Sequence, residues 1–131
     1  MLLAIESLGG LVILFARVAY GASPGVILHV IAGLALTLAY AAYQLSHWTR
    51  VAPWRPRLDY LLGLIAALSM IVTNATGLWL AAIWWRAIQG GGAPAFPVAL
   101  SAAHTLGTLL VLTFAGAHLA AVLQRERGAA S

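Results

Sequence analysis

The chain has 131 residues, 63% hydrophobic and 8% charged, with a mean hydropathy of +0.95. A soluble domain carries roughly 25% charged residues, so this composition belongs to a membrane protein and excludes a water-soluble globular domain. Cysteine is absent, which rules out disulfides, thiolate metal sites and iron–sulfur clusters, and the net charge of +4 comes from arginines with no basic helix or aromatic-basic stripe, so it reports membrane orientation rather than a nucleic-acid partner.

The first apolar segment, residues 2–20, has about the length that a bilayer core requires. Its small-residue end imitates a signal peptide, but it lacks a basic start and carries Glu6, so it reads as a retained helix. Arg17 lies near its far end, where it can snorkel to the interface. In the turn that follows, Ser23 is the expected N-cap and Pro24 the expected first residue of the second helix. That second segment, residues 25–48, holds no charge. A loop with Arg50, Arg55, Arg57 and two prolines follows, extended and wet. The third segment, residues 59–88, is longer than the bilayer demands and should tilt or protrude. A glycine-rich breaker then leads to Pro97, which opens a fourth segment, residues 97–124, ending at the charged tail Arg125-Glu126-Arg127.

The expected fold is therefore all-α: one domain over residues 1–131, an integral-membrane four-helix bundle running up-down-up-down. Both termini then share a side with Arg50, Arg55, Arg57, Arg125 and Arg127, against Arg17 and Arg86 opposite, and the positive-inside rule makes that side cytoplasmic. Trp48, Trp54, Trp84 and Trp85 fall near the expected interfaces, as an aromatic belt should.

The chemistry concentrates in four histidines. His104 and His118 are 14 residues apart in the uncharged fourth segment, which puts them within about 40° of one helix face and about 21 Å apart. His29 and His47 are 18 residues apart in the second, five whole turns, sharing a face about 27 Å apart. The second and fourth segments run in the same direction, so His29 and His104 share the outer level and His47 and His118 the inner one. Each level offers one imidazole from each helix, a bis-imidazole site for a planar macrocycle between helices. Zinc would want three or four converging ligands, which two histidines per level do not supply.

Small residues supply room. Gly33 is one turn from His29, Gly107 one turn from His104, Gly63 and Gly77 repeat the 14-residue spacing on the third segment, and Gly116 adds a gap near His118. Propionate partners are expected from Arg17 and Arg86 outside and from Arg50, Arg55, Arg57 or Arg125 inside. Ser46, Thr105, Thr108 and Thr113 are candidates to orient the second imidazole nitrogen. Thr73, Asn74 and Thr76 form a polar knot expected to bond across helices, Tyr40 and Tyr43 are expected to pack, and Glu6 and Asp59 read as acids near the inner surface that solvate or cap.

Four membrane helices with histidine pairs on the second and fourth resemble the haem-bearing bundle of cytochrome b from quinol-oxidising respiratory complexes. The resemblance covers nearly the whole chain and implies two stacked b haems held by H-x13-H pairs, with spaced glycines on the other two helices. His104-x13-His118 and Gly63-x13-Gly77 match that pattern; His29-x17-His47 departs from it by one helical turn. The Leu45-Ser46-His47-Trp48 end and the H-x3-G start at His29 also look like small four-helix b-type cytochromes of bacteria. What this implies is transmembrane electron transfer between a quinone pool and a docked redox subunit, in a bacterial inner membrane, by a chain embedded in lipid and with room for pairing with a second copy. It would be an electron-transfer subunit of an oxidoreductase rather than a stand-alone catalyst. The rivals are a single-haem anchor, a cofactor-free structural or assembly subunit whose histidines are packing glue, and a small proton-coupled transporter, for which Glu6 lies too near the end of its helix.

Overall fold

The computed structural model describes residues 2–50 and 57–129; Trp54 and Arg55, expected at the inner interface, lie outside them. The described chain is all-helical, with α1 (Leu2–Tyr20), α2 (Val26–Arg50), α3 (Leu58–Gln89) and α4 (Val98–Ala129). All four are long and apolar enough to cross a membrane. Leucines, isoleucines and valines stand exposed along each, with Phe15, Trp48, Trp79 and Trp85 among them, a surface suited to hydrocarbon and not to water. The helices form two compact units, α1 with α2 and α3 with α4.

In the first unit the helices run antiparallel, since Glu6 meets Gly33 while Gly10, further along α1, meets His29, earlier on α2. Gly21, at φ +65°, closes α1 by donating its N–H to the Arg17 carbonyl at 3.0 Å, a left-handed cap that favours glycine. Gly25, at φ +73°, accepts the first helical bond of α2 from the His29 N–H at 3.0 Å. It therefore takes the capping place expected of Ser23, and Pro24 falls in the turn rather than in the helix.

In the second unit the packing repeats in sevens. Gly63, Met70 and Gly77 form one series on α3; His104, Val111 and His118 form the other on α4. Gly77 lies against His104 and Gly63 against His118, so these helices are also antiparallel. Met70 and Val111, midway in each series and 5% and 2% exposed, fill the seam between the two imidazole levels. A straight α-helix drifts about 20° per heptad, the source of the 40° expected above. Heptad packing cancels that drift, so His104 and His118 meet the same neighbour along one seam.

α4 does not stop at the charged tail but continues to Ala129. Gln124, Arg125, Glu126 and Arg127 are all strong helix formers, and cations suit a helix C-terminus. Arg125 is also tied to the Asp59 carboxylate at the start of α3.

Candidate functional site

His104 and His118 are held alike. Each rests its ring on a glycine of α3: a Cβ added at Gly77 would lie 2.9 Å from His104 Cε1, and one at Gly63 would lie 3.0 Å from His118 Cε1. Each turns Nδ1 to the main-chain carbonyl one turn before that glycine, His104 to Thr73 at 3.0 Å and His118 to Asp59 at 2.6 Å. A helical carbonyl has a second lone pair to offer, and the missing glycine side chain lets the ring come close enough to use it. The Thr76 hydroxyl also lies 3.3 Å from His104 Nδ1 and bonds the Val72 carbonyl at 2.7 Å, so its proton is committed and its oxygen accepts. A carbonyl only accepts. Nδ1 of both rings therefore carries a proton, so Nε2 is the nitrogen that would meet a metal.

His29 is also seated on glycine within the first unit, but beside a carboxylate rather than a carbonyl. Its ring rests on Gly9 and Gly10 of α1, where a Cβ at Gly10 would come within 3.2 Å of Cε1. Its Nδ1 stands 2.9 Å from Glu6 Oε1, with both side chains largely buried. Glu6 is thus not the solvated or capping acid expected, because the stagger of α1 along α2 sets its carboxylate beside His29. Sequence reasoning missed this pair and the Gly9-Gly10 seat; the double glycine in the first helix was the available signal.

His47 differs. It stacks on Tyr43 of its own helix, ring centroids 5.2 Å apart and planes 18° apart, with the Tyr43 hydroxyl 3.4 Å from Nδ1. Tyr43, not His47, stands two heptads from His29.

Three of the four hydroxyls proposed as ring partners do other work. Ser46 bonds the Tyr43 carbonyl, Thr108 that of His104 and Thr113 that of Leu109, each on its own helix. The polar knot supplies the partner instead, through the Thr73 carbonyl and the Thr76 hydroxyl, across helices as expected. The other glycines make room for neighbouring side chains: Gly33 for Glu6 Oε1, at 2.9 Å from an added Cβ, and Gly107 for Thr73, at 2.5 Å. Gly116 has no atom within 4 Å.

Arg17, Arg50 and Arg86 are exposed in the last turns of α1, α2 and α3, where their charge complements the helix dipole. Arg57 and Arg125 both pair with Asp59, so these two cations are engaged by a carboxylate of the chain.

The imidazoles of His104 and His118 each have a main-chain acceptor fixing Nδ1, an outer-shell arrangement common to metal-ligating histidines. With no thiolate in the chain and glycine cradles under the rings, these residues fit the axial ligation of a b haem. Comparison with known proteins found no matching family model, no matching curated protein and no matching solved structure.

Proposed function

We propose that the chain is a membrane electron carrier holding two b haems between histidines of α2 and α4, the outer one by His29 and His104 and the inner one by His47 and His118. The observation that carries this reading is the repeated seating of His104 and His118 on α3. Each ring lies on a glycine and gives its Nδ1 proton to the carbonyl one turn earlier, which readies Nε2 twice along one seam. Interhelical glue needs one good hydrogen bond. It does not need the same seat built twice, two heptads apart.

A b haem in this setting carries one electron between its ferric and ferrous states. His29, His47, His104 and His118 would hold the haems, and imidazoles on both sides of each iron would exclude other ligands. Met70 and Val111 keep the seam between the levels dry and apolar. Arg17 and Arg86 outside and Arg50 inside are the propionate partners in this reading, and the glycines Gly33, Gly63, Gly77 and Gly107 let the helices and rings approach. The chain sits in a bacterial inner membrane with both termini cytoplasmic, and electrons pass between the quinone pool and a redox subunit docked on either surface.

A single-haem reading is favoured by one observation: His47 leans on Tyr43 of its own helix and, among the described residues, has no acceptor from a neighbouring helix such as His104 and His118 have. The experiment is a visible spectrum of detergent-purified protein. A Soret band with sharp α and β bands on dithionite reduction supports haem. A colourless preparation overturns it in favour of a cofactor-free subunit.

A further inference from the structure

The three seated imidazoles do not have equal partners. Those of His104 and His118 face main-chain carbonyls, which are dipoles without net charge. That of His29 faces a carboxylate, Glu6 Oε1, at 2.9 Å. We infer that Glu6 is a positioning residue for His29 that lowers the reduction potential of the haem held there, an inference that rests on the haem reading above.

A carboxylate oxygen 2.9 Å from His29 Nδ1 sets a negative charge beside the ring. A nearby negative charge favours the ferric over the ferrous form, which lowers the potential. The setting also magnifies the charge. The Glu6 side chain is 15% exposed, and its other oxygen, Oε2, is buried with no hydrogen-bond partner among the described residues. Little therefore competes with His29 for that charge, and low-dielectric surroundings screen it weakly.

The place is also shaped for this carboxylate. Gly33 stands where any side chain would press on Oε1, and Gly10 stands under the ring. Two glycines on two helices thus clear space for one acid and one imidazole.

The test is a potentiometric titration of the purified, haem-loaded protein, with the His29 component identified as the one lost in His29→Ala. Glu6→Gln keeps the shape and removes the charge. It is expected to raise the reduced-to-oxidised ratio of that component about tenfold at fixed potential, which is about 59 mV upward for a one-electron couple. The other component should stay in place. Glu6→Asp retains the charge and should keep the component closer to its original position, a rescue that a purely structural role would not show. Should Glu6→Gln lose the component altogether, Gly33→Ala carries the test, displacing the carboxylate without removing it and moving the component upward. An unmoved titration, or equal movement of both components, overturns the inference while leaving the haem reading intact. A colourless wild-type protein overturns both.

Discussion

A methyl group placed on Gly77 probes the seat under His104 directly. Its carbon would lie 2.9 Å from His104 Cε1 and 3.3 Å from Nδ1. Carbon atoms rest at about 3.5–4.0 Å, so ring and helix must separate by about 0.6 Å. The ring is not free to yield, because its Nδ1 bonds the Thr73 carbonyl at 3.0 Å and moving it stretches that bond. Overpacking of this kind costs about 1–3 kcal/mol, and weakening the hydrogen bond adds up to about 1 kcal/mol. Against this, alanine in a helix interior gains up to about 1 kcal/mol over glycine. Ala75→Gly, at an exposed position of the same helix, measures that gain in place. The assay is reversible unfolding of the detergent-solubilised protein by titration with a denaturing detergent, followed by circular dichroism. Gly77→Ala is expected to destabilise despite its better helix propensity. A variant as stable as wild type, or more so, would refute the seating of His104 on α3.

Other perturbations separate the contacts around the seam. Thr76→Val removes one acceptor from His104 Nδ1 but leaves the Thr73 carbonyl, so a loss of about 1 kcal/mol or less is expected in the same assay. Asp59→Asn breaks the pairs with Arg57 and Arg125, whose side chains are 55% and 47% exposed, so it should cost less than about 1 kcal/mol and matter less at high salt. It should leave His118 in place, because that ring bonds the main-chain oxygen of Asp59. Gly25→Ala forces a side chain into φ +73° and should destabilise by about 1–2 kcal/mol, read as a lower midpoint of unfolding. His47→Ala should reduce bound haem, measured per polypeptide, only if the inner level is loaded.

The helices were legible because uncharged runs of bilayer length leave few alternatives, and Pro24, Pro97 and the glycine-rich loops marked their ends to within a few residues. The largest error was the C-terminus of α4. Charge was read there as an end, whereas arginine and glutamate are strong helix formers and Arg125 has Asp59 to hold it. The Gly63 and Gly77 spacing was legible as a match to His104 and His118, and the structure turns that match into contact. Which acceptor each ring takes was not legible. Carbonyls leave no mark in sequence, so Ser46, Thr108 and Thr113 drew attention that belonged to the main chain of α3. The partner of Glu6 was not legible for a related reason: helix order fixes direction, but the stagger between neighbours depends on how side chains interlock, and that stagger decides which residue faces His29. His47 shows the opposite limit. An 18-residue spacing closes five turns of a straight helix, yet on a seam repeating in sevens its place falls to Tyr43.

Haem content per polypeptide, measured on purified wild type, His104→Ala and His118→Ala side by side, tests the central claim most directly. Two haems in the wild type and one in each variant are expected if both rings on α4 are axial ligands. No haem in the wild type, or content that neither substitution changes, would contradict the account.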